Sequence, residues 1–352
     1  RQKVKAGEVQ AMTAGTGVTL VLKAPAGFEF NTGQAPAISF TSGQDITAAS
    51  VAVTDSTTVT VTLTISGVAG NDSFSITGLQ VRPTTAGPLA TARHIYRPSS
   101  GGGSAVMSGI STSSDGSSGD DFGPLSQTTA AFTKLQVLAP GETAAPGTVS
   151  GKTGAPTART AGSSFNVTVN AVDAYWNVVS TITHIVALSS SDSAATLAGN
   201  TALVSGTKNL SVTLKTAGSQ TVTASDVTDS SKTAGVSSSL TVNPDNADKL
   251  TIQTQPSATA TAGVAFSQQP VVRIEDQFGN LVTTDNGTVV TAARSTGSGT
   301  LQGTLTKTAV NGLATFTGLN HQVAGTLTIA FTKSTLTSAT SQNIVVGPAS
   351  AS

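Results

Sequence analysis

There is no cysteine in the 352 residues, so neither a disulfide nor a thiolate metal site is possible. Charge is scarce as well. Asp, Glu, Lys and Arg make up 10% of the chain, against about a quarter in ordinary soluble domains, and the formal net charge is zero. Such a chain has no electrostatic footprint for nucleic acid or for an anionic membrane surface. Aromatic residues are only 4%, and no apolar run is long enough to span a bilayer. The chain begins at Arg1 and carries no signal peptide, which reads as a processed product or a fragment.

Thr, Ser, Ala, Val and Gly fill the space left by these absences. Aliphatic residues are plentiful and regularly spaced, so the chain is expected to fold rather than stay disordered. Thr and Val are β-branched and suit a half-buried pleated surface. Val59-Thr60-Val61-Thr62-Leu63-Thr64-Ile65 alternates with period two, placing four aliphatic side chains on one face and Thr on the other. The pattern recurs in Phe165 to Val169, Leu210 to Leu214 and Thr326 to Ile329. These runs are short and are punctuated by Gly, Asn, Asp and Pro, which predicts antiparallel sandwiches; no stretch has helical periodicity.

One series of landmarks is written twice. The first copy begins Lys134-Leu135-Gln136-Val137, passes Thr160-Ala161-Gly162, Phe165, Asp173-Ala174-Tyr175-Trp176-Asn177 and Ala217-Gly218, and closes at Asn243-Pro244. The second begins Lys249-Leu250-Thr251-Ile252, passes Thr261-Ala262-Gly263, Phe266, Asp276-Gln277-Phe278-Gly279-Asn280 and Ala324-Gly325, and closes at Gly347-Pro348. An internal repeat of this kind means like modules in a row. The copies differ by an insertion at Ala139 to Arg159 and by Trp176. The first 130 residues are unlike either copy: they carry Pro25-Ala26-Gly27-Phe28-Glu29-Phe30, then a Gly/Ser-rich stretch from Ser99 to Gly123. Within that stretch Ala105-Val106-Met107 reads as a last edge strand, and Ser111 to Ser126 as a loop or linker.

On Asp173 to Val179, Asp276 to Val282 and Asn311-Gly312-Leu313-Ala314-Thr315-Phe316, residues 131–348 resemble bacterial Ig-like (Big) domains of large surface adhesins and fibre proteins. Residues 1–130 are similar, more loosely, to a related bacterial surface β-repeat. The resemblance implies an all-β chain of three tandem immunoglobulin-like β-sandwich domains in an extended array. The boundaries expected are 1–130, 131–245 and 246–352, with short connections at Thr128 to Thr133 and Pro244 to Asp248. It further implies an extracellular, bacterial cell-surface location and a structural role, as a stalk, a fibre or a self-assembling filament subunit joined by edge-strand or donor-strand pairing. The polar Arg1 to Gln10 segment is one candidate for such pairing, with the first domain or with a neighbour. The alternatives are a glycan- or receptor-binding adhesin region, and a non-catalytic accessory region of a larger secreted enzyme.

No residue is assigned to catalysis. His94, His184 and His321 fall one to each expected domain, without companion motifs. No cofactor is expected. Asp115, Asp120 and Asp121 are the calcium candidates, in a loop without the alternating acidic spacing of a calcium motif; Asp226, Asp229 and Asp285 are weaker ones. Lys249 with Glu275 and Asn343, and Lys134 with Asp173 and Asn243, supply the residue types of an isopeptide crosslink, but alternation places the lysine on a solvated strand edge. Sequons at Asn71, Asn166, Asn209 and Asn286 are what a Thr-rich chain gives by chance. Tyr175, Trp176 and Tyr96 are the residues for a ligand platform. Phe165, Tyr175, Trp176, Phe266, Phe278 and Phe316 are expected as core or end-capping aromatics.

Overall fold

The computed structural model describes residues 4–5, 11–41, 45–67 and 72–349, and among these there is strand, turn and loop but no helix. The sequon at Asn71, and the segment from Arg1 to Gln10 apart from Val4–Lys5, lie outside the described residues. The chain divides into two compact units. One holds residues 1–134, 144–153 and 171–182; the other holds 135–143, 154–170 and 183–352.

In the first unit, Gly15–Lys23, Thr58–Ile65 and Ile46–Asp55 form an antiparallel sheet with Thr58–Ile65 in the centre. Central placement follows from the alternation: Val59, Val61, Leu63 and Ile65 are all buried while the intervening threonines are partly exposed. A second sheet pairs Phe74–Thr77 with Ala37–Phe40 on one side and with Val4–Lys5 on the other, Val4 lying opposite Ile76. Leu20, Leu22, Phe28, Phe30, Phe74 and Ile76 are buried in the core of this part of the unit.

The Gly/Ser-rich stretch is not a linker. It returns along the sheet and completes its edge: Val21 N–H donates to Gly102 O, Ala105 N–H to Thr19 O, and Lys23 N–H to Tyr96 O. Further on, His94 N–H donates to Gly116 O and Phe122 N–H to Ile95 O, with Phe122 buried. Small residues are required because backbone meets backbone; a Cβ on Gly103 would stand 2.1 Å from Thr19 O. Met107–Ser108 pairs with Ala11–Met12, so the edge strand expected near Val106 forms one residue later.

From Lys134 onward the same strand plan appears twice. In the first copy Lys134–Leu138, Ser164–Val172, Thr207–Thr213 and Thr196–Leu197 lie side by side in that order. Opposite them, Arg159–Thr160 runs parallel to Leu240–Asn243, and Ile185–Ser190 pairs with Val222–Asp226. The second copy repeats this order with Lys249–Thr254, Val271–Glu275 and Leu313–Thr315 in one layer, but here Leu336–Thr340 pairs with both Lys249–Thr254 and Gly325–Lys333 and links the two layers into one continuous sheet. Thr259–Thr261 runs parallel to Ile344–Gly347 in the other layer, followed by Gly325–Lys333 and Val289–Thr296. First, second and fifth strands in one sheet, with third, sixth and seventh in the other, define the immunoglobulin-like sandwich. Phe266, Phe316 and Phe331 fill the second copy's core, Phe316 and Phe331 with ring centroids 5.2 Å apart.

Gly103→Ala is expected to destabilise the first unit by about 2 kcal/mol or more, from positive-φ strain plus the clash with Thr19. A denaturant midpoint within error of the unaltered chain would show that the Gly/Ser stretch does not pack on the sheet.

Candidate functional site

Five residues of the repeat carry the geometry that sets this chain apart, and they do the same thing in both copies. Asp173 is 1% exposed. Its Oδ1 accepts the N–H groups of Tyr175 and Asn177 at 2.9 and 3.0 Å. Its Oδ2 accepts Asn177 Nδ2 and the N–H of Ala130, both at 3.0 Å. Asp276, fully buried, repeats every contact: Phe278 and Asn280 N–H to Oδ1 at 2.9 Å, Asn280 Nδ2 to Oδ2 at 2.8 Å, and Asp245 N–H to Oδ2 at 2.9 Å. Ala130 and Asp245 are the residues by which the chain enters each copy. Each aspartate therefore closes its own turn and fastens the incoming connection.

The asparagine reaches in the other direction. Asn280 Nδ2 donates to Lys215 O at 2.8 Å, and Ala217 N–H donates to Asn280 Oδ1 at 2.8 Å, a two-pronged grip on the backbone of the preceding copy. Asn177 Nδ2 donates to Ala86 O at 2.9 Å, in the preceding 130-residue segment. The second prong is missing there. Asn177 Oδ1 is buried without a partner, and the residue two positions past the acceptor carbonyl is Pro88, which has no N–H. The receiving loop of the first copy is itself held by Asp192, which accepts Lys215 N–H, Thr216 N–H and Thr216 Oγ1.

The position before the asparagine has φ of 88° at Gly279 and 71° at Trp176. Glycine takes this left-handed conformation without steric cost; tryptophan carries about 1 kcal/mol or more of strain there. What offsets it is contact. The indole lies against Gly151 of the insertion, where a Cβ would stand 2.1 Å from Cδ2, and Lys134 Nζ sits 3.4 Å from the ring centroid. Lys134 Nζ also donates to Ala174 O, which places the crosslink candidate over the turn. Phe278 lies over Gly162, its Cζ 2.5 Å from where a Cβ would be.

The other expected residues fall elsewhere. Phe165, Phe266 and Phe316 are buried, while Trp176 and Phe278 are half-buried. Tyr175 does not join the core. It is 49% exposed, because the turn uses its backbone, N–H to Asp173 and C=O to Gly147 N–H. Tyr96 is half-buried with its hydroxyl donating to Ser114 O, and Trp176 is covered by Gly151, so no platform of three rings forms. Asp115, Asp120 and Asp121 each serve a local turn: Asp115 accepts from Ser117 and faces Arg93, Asp120 accepts from Ser111, and Asp121 accepts Gly123 N–H. Asp226 accepts from Thr228 and Asp229 and lies 2.8 Å from His184 Nδ1. Asp229 is held down to about 2 by the hydroxyl and N–H of Ser231. His94 and His321 face the carbonyls of Ser118 and Ser298. Among the described residues no three His, Asp or Glu side chains gather as a metal site, and no helix is long and apolar enough to cross a membrane.

The strand order and the paired turns define a chain of immunoglobulin-like modules fastened by buried aspartates and their asparagine partners. No protein-family model and no curated protein matches it. Solved structures do. The chain is similar to the Escherichia coli adhesin FdeC at 16% identity, covering 98% of this chain and 96% of that one, with a TM-score of 0.33. The D00-D0 domain of intimin matches at 12% identity over 60% of this chain and 99% of its own, with a TM-score of 0.32. A glycosyl hydrolase family 2 member from Bacteroides cellulosilyticus matches at 12% identity over 53% of this chain and 23% of its own, with a TM-score of 0.26. At these scores the likenesses add nothing to the strand order, which defines the fold by itself.

Burial alone would raise the pKa of Asp173 and Asp276; the hydrogen bonds from Asn177, Ala130 and Tyr175, and from Asn280, Asp245 and Phe278, outweigh it and hold both below the ordinary 3.8. A depressed native pKa contributes stability that is complete above the unfolded value and is lost as pH falls through the native one. Urea midpoints are therefore expected to fall as pH drops below 3.8, and Asp276→Asn is expected to be less stable at pH 7 with a shallower acid limb. An unchanged acid limb in the variant would remove Asp276 from the account. Trp176→Ala is expected to cost about 2 kcal/mol, because the indole contacts are lost while the Cβ of alanine keeps the left-handed strain; an unchanged melting temperature would refute a packing role.

Proposed function

We propose that this chain is a load-bearing segment of an exported bacterial surface stalk or fibre, built from modules whose joints are stiffened by the Asp-x-aromatic-x-Asn turn. The observation that carries the reading is the repetition of one clamp at two joints, with the same donors on the same carboxylate oxygens. A flexible string of binding modules has no need to bury a charge at each connection, whereas a part that transmits force gains from fixing the angle between neighbours. Desolvating a carboxylate costs several kcal/mol, and the four donors at each turn offset that cost only when the connection is in place. The scarcity of surface charge and the absence of cysteine agree with a part whose strength lies in β ladders and joints. The resemblance to Ig-like surface repeats supports the exported location.

The adhesin alternative has less to draw on. Trp176 is covered by the insertion, which leaves Tyr175 as the exposed ring of the pair. The accessory-region alternative shares the fold but gives no reason for the repeated clamp.

With no native cysteine, dye pairs can be placed across each joint without background. Single-molecule energy transfer across the second joint is expected to give one narrow distance distribution in the unaltered chain. Asn280→Ala, which removes two hydrogen bonds to the preceding copy and a third to buried Asp276, worth about 1 kcal/mol each, is expected to broaden it and to lower the unfolding midpoint of the second sandwich. Equal widths for the two proteins would sink the stiff-joint reading.

A further inference from the structure

The loop gripped by Asn280 in the first copy has a counterpart in the second copy, and among the described residues no asparagine grips its backbone. The correspondence is set by hydrogen bonds. Gly162 N–H donates to Leu214 O in the first copy, and Gly263 N–H donates to His321 O in the second. Counting on from these carbonyls, Lys215 O corresponds to Gln322 O, and Ala217 N–H to Ala324 N–H. The following glycines share an unusual backbone, φ 119° at Gly218 and 140° at Gly325. Lys215 O and Ala217 N–H are taken by Asn280. Gln322, Val323, Ala324 and Gly325 are all exposed.

The floor of the site corresponds too. In the first copy Phe278 lies over Gly162. In the second, a Cβ at Gly263 would meet only Gln322 Oε1, at 3.5 Å. Beside Gly263 and Ala324 the surface presents Val264 and Val323, 56% and 40% exposed, where the first copy has Ser163 and Thr216. The outgoing chain also follows the same course: Ala161 N–H bonds Asn243 O before Pro244, and Ala262 N–H bonds Gly347 O before Pro348.

We infer that the end of the second copy formed by Gly263, Gln322 and Ala324 is a docking socket for the Asp-x-aromatic-x-Asn turn of a further Ig-like module joined in line behind it. The asparagine amide takes Gln322 O, its oxygen takes Ala324 N–H, and the aromatic ring covers Gly263 between Val264 and Val323. A second copy of this chain is not the occupant. Its own two turns are engaged at Ala86 and Lys215. Its first 130 residues offer Asp72-Ser73-Phe74-Ser75-Ile76 and Asp120-Asp121-Phe122-Gly123-Pro124, which have isoleucine and proline in place of asparagine and a buried Phe74 and Phe122.

The inference rests on the clamp reading, and its test is placed at a different atom. The chain is extended so that residues 245–352 follow Pro348 a second time, which reproduces the native spacing from proline to turn. Amide exchange is then read at Ala324, with Ala217 as the internal reference. Docking is expected to slow Ala324 at least about tenfold relative to the unextended chain, and Asn280→Ala in the appended copy alone is expected to abolish the gain. An Ala324 amide that exchanges equally fast in both chains overturns the socket, as does an extended chain that fails to fold, since a matching socket stabilises the module it receives. The unextended chain is expected to sediment as a monomer at high concentration; a dimer in which Ala324 is protected would overturn the in-line assignment. The stiff-joint reading, tested at Asn280 within the chain, survives an unprotected Ala324.

Discussion

A carboxylate removed from water must find donors, and in this protein the donors are drawn from beyond its own turn. Asp173 and Asp276 each need four N–H groups, of which the turn supplies three and the incoming connection the fourth. The module and its connection are thereby one energetic unit. The course of the chain into each sandwich is decided there, and so is the direction in which the asparagine amide points. The ladders and cores give the modules their strength, but the buried charge governs how a module meets what precedes it.

Much of the fold was legible because β-sandwiches advertise themselves by alternation. Val59 to Ile65 read correctly because its two faces differ in chemistry, and the repeat located the turns. The role of the asparagine was only half legible. Its local bonds follow from the turn, but its distant acceptors are backbone carbonyls of Ala86 and Lys215, 91 and 65 residues away, and a carbonyl leaves no mark in sequence. The Gly/Ser stretch misled for a related reason. It packs through backbone hydrogen bonds and close approach, which small residues permit and hydropathy does not register; buried Ala105, Met107 and Phe122 are the apolar side chains that signalled it.

The two differences between the copies turn out to be one. Trp176 occupies a conformation suited to glycine, and the insertion supplies Gly151, whose missing Cβ makes room for the indole. Either without the other leaves a strained, uncovered ring or an unanchored loop. Comparison of the copies marked both sites, yet only the structure couples them. Variation between the copies is thus added around the turn without altering its Asp and Asn.

The missing prong at Pro88 makes the two asparagines unequal in their grip. A joint held by two hydrogen bonds to the asparagine and a joint held by one do not yield at the same load. In the load-bearing part proposed above, the connection ahead of the first copy is the one to open first under tension, since opening also solvates Asn177 Oδ1. On that reading the segment is a graded tether, with a soft end that absorbs a pull and a firm end that passes it on.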